Sequence, residues 1–195
     1  MDYKVLLGLT AVVIGFIGYA PYIRNVLRGK TKPHAFSWLV WGLLETIAFF
    51  AQLVKGGGAG TWVTACSASI TLFIAVFALR QKDKQIRPTD WIALTGALIG
   101  ITLWQLSNDP LLAVISIVVA DALAFAPTFR KSFRRPNEET LTEYFLSCIK
   151  WLLSIFALGS LSFTTWLYPA SLAITNGAFV ILCLIQRKRL SLNKG

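Results

Sequence analysis

A ten-residue stretch that contains one proline and two arginines occurs twice in the sequence, 106 positions apart. The first copy, residues 19–28, reads YAPYIRNVLR, and the second copy, residues 125–134, reads FAPTFRKSFR. In each copy a long apolar run precedes the proline, and a polar turn with a further apolar run follows the arginines. Proline removes a backbone hydrogen bond, so Pro21 and Pro127 are predicted to bend or end their helices. Two copies in equal register indicate an internal duplication.

Seven apolar runs account for most of the chain, and several approach the roughly 20 residues that a helix needs to cross a bilayer. With 55% hydrophobic and 14% charged residues, the chain has too few polar side chains to cover a water-facing surface. We therefore predict an integral membrane protein. Its spans are predicted at Val5–Ala20, Ala35–Val54, Ala59–Leu79, Trp91–Ser107, Leu111–Phe129, Leu141–Leu158 and Phe163–Ile185.

The duplication predicts how these spans are arranged. Three runs of the first half match three runs of the second half, whereas the fourth run has no counterpart. The predicted fold is an all-α membrane protein with seven transmembrane helices in a 3+1+3 arrangement of two parallel three-helix-bundle repeats. Residues 1–84 form the first three-helix repeat, residues 85–108 the linker helix, and residues 109–195 the second repeat with a short basic C-terminal tail.

Basic residues are concentrated in alternate loops, which indicates the orientation of the chain in the membrane. Of the 19 Lys and Arg residues, four follow each of the first, third, fifth and seventh spans, namely Arg24, Arg28, Lys30, Lys32, Arg80, Lys82, Lys84, Arg87, Arg130, Lys131, Arg134, Arg135, Arg187, Lys188, Arg189 and Lys194. Basic loops remain in the cytoplasm, so the N-terminus is predicted outside and the C-terminus inside. A bacterial inner membrane fits this arrangement best.

The same distribution explains the net charge of +10, because the basic residues lie in the cytoplasmic loops. No nucleic-acid partner is therefore expected.

Three buried charges are predicted: Glu45 in the second span, Asp121 in the fifth and Lys150 in the sixth. A charged side chain at that depth is unfavourable unless it faces the bundle interior, water or a partner. Pairing of Lys150 with one or both acids is the simplest arrangement. Two roles stay open: a structural one, in which the pairing holds helices together, and a functional one, in which the charges set selectivity or couple transport to proton movement.

Aromatic and amide side chains indicate a candidate binding site. In the repeat register, Trp41 and Glu45 occupy the positions of Ser147 and Trp151, so each half directs a tryptophan toward one central axis. Rings on two sides suit a flat or sugar-like solute, although helix packing explains tryptophans equally. Asn176 can donate and accept hydrogen bonds at once, either to a solute or to a neighbouring helix. The candidate substrate-binding residues are Trp41, Glu45, Ser147, Lys150, Trp151 and Asn176.

The sequence contains no pattern typical of an enzyme. It has no nucleophile motif, phosphate-binding loop or metal-ligand spacing, and its single histidine, His34, lies at a predicted membrane boundary. The three cysteines have no paired spacing. We predict no catalytic residues, no metal and no cofactor.

Both proline turns, residues 20–22 and 126–128, are followed by basic residues, and the last span contains an asparagine, a glycine and a glutamine within residues 176–186. Together with the 3+1+3 count, these features resemble the PQ-loop superfamily, which includes the SWEET sugar transporters and the PnuC-type vitamin transporters. The family's glutamine after each proline is replaced here by Tyr22 and Thr128.

The resemblance implies transport of a small polar solute, such as a sugar, nucleoside or vitamin, by alternating access at a site near the middle of the membrane. On this interpretation Pro21 and Pro127 are hinges, Trp41 and Trp151 stack on the solute, and Asn176 orients it. Assembly into homo-oligomers is compatible with the glycine-rich helix faces.

Two other functions fit the same sequence. A receptor or assembly scaffold would use the fold without moving a solute, and a lipid-handling protein would place a headgroup between the basic inner turns and an amphipathic cleft. The sequence does not specify the solute, the coupling ion or the oligomeric state.

Overall fold

The computed structural model describes residues 2–54, 57–81 and 110–192, together with eight single positions between 88 and 106. These residues form six α-helices and one short 3-10 helix, Pro136–Glu138, and no strand occurs among them. The α-helices are α1 (Tyr3–Leu27), α2 (Ala35–Val54), α3 (Gly60–Arg80), α4 (Pro110–Arg134), α5 (Leu141–Phe156) and α6 (Phe163–Leu192). The prediction of an all-helical chain is thus confirmed. The predicted fourth span and linker helix, residues 85–108, lie outside the described residues apart from those eight positions.

Three of the described helices, α1, α3 and α6, are long and apolar enough to cross a membrane. The distribution of polar and apolar side chains also indicates a membrane protein, because apolar side chains face outward and polar side chains face inward. Leu6, Val13 and Ile17 on the outer side of α1 are each more than half exposed, whereas Ser67 and Asp121 are buried. A water-soluble protein normally shows the opposite distribution.

Neither proline of the repeated stretch ends its helix. Helix α1 continues beyond Pro21 to Leu27, and α4 continues beyond Pro127 to Arg134. Of the two predicted effects of each proline, bending or ending its helix, the second is therefore wrong. A proline removes only one backbone hydrogen bond, and here the residue after each proline is fully buried, which holds the next turn in place. As a result, the first arginine of each copy lies on a helix and not in a turn.

The six described helices form a closed ring of packed neighbours. We call α1–α3 the first helix group and α4–α6 the second, following the internal repeat of the sequence. In the first group α3 packs against both α1 and α2, and in the second group α6 packs against both α4 and α5. Across the boundary between the groups, α1 packs against α5 and α2 packs against α4. If α1, α2 and α3 are exchanged with α4, α5 and α6 in that order, the α1–α5 contact becomes the α4–α2 contact. The pattern of contacts therefore has approximate twofold symmetry.

Glycines allow α1 to approach α5 closely. A Cβ atom at Gly18 would lie 3.1 Å from the Cβ atom of Leu146, and one at Gly15 would lie 3.4 Å from the Cδ atom of Lys150. The first distance is shorter than an ordinary carbon contact. Small residues at these positions therefore set the distance between the two groups of helices.

Candidate functional site

A cavity with an empty volume of about 360 Å³ lies between the two groups of helices. Both groups contribute its wall, which consists of Tyr19, Trp38, Trp41, Glu45, Thr71, Asp121, Phe125, Glu143, Tyr144, Ser147, Trp151, Leu172 and Asn176. The cavity is narrow and has room for roughly two water molecules. A solute of several atoms would need the helices to separate.

Positions that correspond in the repeat register lie together in this wall. Residues 19 and 125, 38 and 144, 41 and 147, and 45 and 151 are each 106 positions apart, and all eight line the cavity. The tyrosine and tryptophan of the first half at 19 and 38 correspond to a phenylalanine and a tyrosine of the second half. The cavity is thus bounded by matched aromatic positions on its two sides.

Two buried carboxyl groups face the cavity with unsatisfied oxygens. Asp121 is 1% exposed, and neither of its carboxylate oxygens has a hydrogen-bond partner among the described residues. Glu45 is 6% exposed, and its Oε2 atom has no partner. Buried acceptors are nearly always hydrogen-bonded, so these atoms call for a ligand, water or proton.

Lys150 does not form the predicted ion pair with Glu45 or Asp121. Its Nζ atom donates to the Ser67 hydroxyl at 2.6 Å and to the Tyr19 hydroxyl at 3.0 Å. The same atom lies 4.4 Å from the centre of the Tyr19 ring and 5.0 Å from the centre of the Trp151 ring. Hydroxyl oxygens and ring faces thus stabilise the ammonium group, which makes a direct ion pair unnecessary.

The side chain of Lys150 lies beside a second, smaller cavity between α1, α3 and α5. It is absent from the wall of the central cavity, so the sequence prediction that Lys150 binds the solute directly has no geometric support in this conformation. The other five candidate binding residues, Trp41, Glu45, Ser147, Trp151 and Asn176, all line the central cavity, as does Asp121. Pro21 and Pro127 lie inside α1 and α4 and are not part of the wall.

Hydrogen bonds within the protein limit what two of the wall residues can offer. The Ser147 hydroxyl donates to Glu143 Oε1 at 2.6 Å, and the Asn176 amide nitrogen donates to the Leu172 carbonyl of its own helix at 2.7 Å. By contrast, the indole nitrogens of Trp38 and Trp41 are buried without an acceptor. The wall therefore presents unsatisfied donors as well as unsatisfied acceptors.

Sequence reasoning missed several wall residues. Glu143 lies four residues before Ser147 and seven before Lys150, and this helical spacing, which puts all three on one face of α5, was the signal for it. Tyr19 and Trp38 belong to apolar runs, where aromatic residues carry no distinguishing pattern. The signal that could have identified them is that aromatic residues, Phe125 and Tyr144, stand 106 positions after them.

The basic ends of the helix groups are joined by hydrogen bonds between the first group and a buried ion pair of the second. Lys131 is paired with Glu139, and the two side chains are 3% and 0% exposed. The Tyr22 and Tyr144 hydroxyls donate to Glu139 Oε2 at 3.0 and 3.3 Å, and Lys131 also donates to the Lys32 carbonyl. We call these five residues the basic-end network. Because Tyr144 also lines the cavity, the network adjoins it.

Further bonds tie the turn after α1 to the turn before α5. The Asn25 amide donates to the Thr140 hydroxyl at 3.0 Å, and the Thr31 hydroxyl is hydrogen-bonded to the same atom. Arg187 of α6 donates to the carbonyls of Pro136 and Glu139. Lys131 and Arg187, which the sequence assigned to loops, thus lie on helices and bind protein groups.

Among the residues that the structure describes, no group of three or more His, Cys, Asp or Glu side chains could hold a metal ion. Comparison of the chain with protein-family models, with curated proteins and with solved structures finds no match. The function is therefore argued from the geometry of the cavity.

Proposed function

We propose that the chain is a membrane transporter that moves a small polar solute by alternating access. In this proposal the two groups of helices are the three-helix repeats of a seven-helix, 3+1+3 protein of the PQ-loop type, joined by a helix within residues 85–108. Solute would bind in the central cavity and leave on the other side when the groups rock against each other.

The central cavity is the observation that supports this proposal best. It lies between the two groups, and its wall combines aromatic rings with buried polar atoms that lack partners inside the protein. Buried charge inside an apolar helical bundle is unfavourable unless a function retains it. A scaffold gains nothing from unsatisfied carboxylates at this depth.

The same geometry supports a movement of the two groups. The cavity is too narrow for an organic solute, and the basic-end network joins the groups on one side of it. The proposal therefore takes this conformation as closed at the basic end, and the network must break for that end to open. Pro21 and Pro127, each inside a helix that crosses the level of the network, are the proposed hinges.

We propose that the basic end is cytoplasmic, with the N-terminus outside and the C-terminus inside, in a bacterial inner membrane. The clusters of Lys and Arg at alternate loops support this orientation.

Thermal stabilisation of the detergent-purified protein tests the proposal. A panel of sugars, nucleosides, vitamins, amino acids and lipid headgroups is applied to the wild type and to the Trp41→Ala and Asn176→Ala variants. Selective binding raises the apparent melting temperature by mass action. We expect a stabilising compound whose effect is lost in both variants and which the wild type carries into proteoliposomes.

Three other results would each favour a different conclusion. Binding without flux would favour the receptor or scaffold. Stabilisation only by lipid headgroups would favour a lipid-handling protein. No shift with any compound, for a protein that elutes as one folded species, would contradict the transporter proposal.

A further inference from the structure

We infer that the solute is a small organic cation whose charged group carries N–H donors, such as a primary ammonium or a guanidinium group. This inference rests on the proposed function and adds the chemical class of the solute. It depends on three features of the central cavity: its charge, its unsatisfied carboxylate oxygens and its aromatic wall.

The wall contains an excess of acidic groups. Glu45, Asp121 and Glu143 line it, and no Lys, Arg or His is among the described residues of the wall. Lys150 acts electrostatically on Glu45 and Glu143 from outside the wall, so one positive charge faces three carboxyl groups. A positively charged solute would offset the remaining excess of acid, whereas an anionic solute would add to it.

The unsatisfied oxygens indicate what the cation must offer. Both oxygens of Asp121 and Oε2 of Glu45 are buried acceptors without donors, while Glu143 already accepts from Ser147. Ammonium and guanidinium groups supply three and five N–H donors respectively, and guanidinium can satisfy both oxygens of one carboxylate together. A quaternary ammonium has no N–H group and would leave these oxygens unsatisfied.

The aromatic wall suits the same ligand. Trp38, Trp41 and Trp151 line the cavity, and Trp41 stands next to Phe125 with ring centres 4.5 Å apart. Ring faces attract cations most strongly in sites without water, and tryptophan is the best of the three aromatic residues. Lys150 provides an example of this attraction within the protein, because its ammonium lies 4.4 Å from the centre of the Tyr19 ring and 5.0 Å from that of the Trp151 ring.

The test uses four compounds on one carbon skeleton: n-butylguanidinium, n-butylammonium, n-butyltrimethylammonium and neutral butyramide. Their dissociation constants are measured on the detergent-purified full chain by thermal shift and calorimetry at constant pH and salt. We expect the two N–H cations to bind, the quaternary cation to bind more weakly, and butyramide not to bind. Asp121→Asn should raise the Kd of n-butylguanidinium roughly tenfold to a hundredfold.

Two further variants make the result interpretable. Glu45→Gln retains size and is a second removal of an acid, so its Kd should rise even if Asp121→Asn folds poorly. Asp2→Asn removes a carboxylate at the exposed start of α1 and should leave the Kd unchanged. Size-exclusion profiles without solute show whether each variant is folded.

The inference and the proposed function fail in different ways. If butyramide or a neutral compound of the wider panel binds and the cations do not, the inference is wrong and the transporter proposal stands. The inference is also wrong if the cations bind equally well to Asp121→Asn and Glu45→Gln, or if no cation binds because protons alone satisfy the carboxyl groups. If no compound of either panel binds, the transporter proposal fails as well.

Discussion

The ammonium of Lys150 donates to the Ser67 hydroxyl at 2.6 Å, and this bond joins α5 of one helix group to α3 of the other. Both side chains are nearly fully buried. Ser67 and Lys150 both line the smaller cavity, and neither belongs to the basic-end network, so their bond joins the two groups at a second place. Its removal should therefore be measurable both in stability and in transport.

Ser67→Ala should lower the free energy of unfolding by roughly 1.5–3 kcal/mol, because the charged Lys150 loses one of its two hydroxyl partners. The apparent melting temperature in detergent measures the loss. Ser69→Ala is the matched control, since the Ser69 hydroxyl bonds only to the Ala65 carbonyl of its own helix. Equal melting temperatures for the two variants would show that the bond between the groups contributes nothing.

Glu139→Gln should be one of the most destabilising single substitutions in the chain. It leaves the buried ammonium of Lys131 without its counter-charge, a change that destabilises by about 3–5 kcal/mol. The double variant Glu139→Gln with Lys131→Met should be more stable than Glu139→Gln alone, because no buried charge remains unpaired. Chemical or thermal denaturation in detergent measures both.

The neighbouring acid supplies the control for that experiment. Glu138 pairs with Lys32 and Arg135, whose side chains are 42% and 53% exposed, and such surface pairs contribute about 0–1 kcal/mol. Glu138→Gln should thus change stability little. If it is as destabilising as Glu139→Gln, burial of the basic-end network is not the cause.

Glu45→Gln should abolish any dependence of uptake on a proton gradient. Glutamine keeps the size and hydrogen-bonding capacity of the side chain but cannot release a proton. Asp121, Glu143 and Lys150 act on the same carboxyl electrostatically, so Glu143→Gln is measured in parallel as an acid that already has a partner. Uptake by Glu45→Gln with unchanged pH dependence would refute the coupling role.

Pro21→Ala and Pro127→Ala should slow transport while the affinity for the solute is retained. Restoring the missing backbone hydrogen bond stiffens the helix, and a stiffer hinge reduces the rate at which the groups rock. Pro169→Ala is the control, because Pro169 also lies inside a helix, α6, but outside the repeated stretch. Hinge variants that carry solute at the wild-type rate would remove this role from both prolines.

The helical class could be predicted from the sequence because it depends on local composition. The bounds of α2 and the first residues of α5 and α6 agree with the predicted spans, since polar turns flank them. The internal register placed four of the candidate binding residues in two pairs 106 positions apart, Trp41 with Ser147 and Glu45 with Trp151, and all four line the cavity together with Asn176.

The remainder depends on tertiary packing, which no pattern along the chain specifies. Helix α1 continues past Pro21 because Tyr22 is buried and bonded to Glu139, 117 positions away. Lys150 forms hydrogen bonds with Ser67 and Tyr19, which come from α3 and α1 and lie 83 and 131 positions away in the sequence. Glu139 is central to the basic-end network, yet in the sequence it is only one acid beside another in a basic turn.

In the proposed transport cycle the two helix groups must separate at the basic end for a solute to pass. The Thr31 and Thr140 hydroxyls are in direct contact across that end, so cysteines at both positions are placed for a disulfide. The variant is made with Cys66, Cys148 and Cys183 replaced by alanine, and each single cysteine variant serves as a control. Uptake into proteoliposomes is measured with the compound that stabilises the protein most.

We expect the oxidised double-cysteine variant to carry no solute and to recover uptake when a reductant breaks the disulfide, whereas the single variants transport under both conditions. Undiminished uptake by the fully oxidised variant would contradict alternating access through this end.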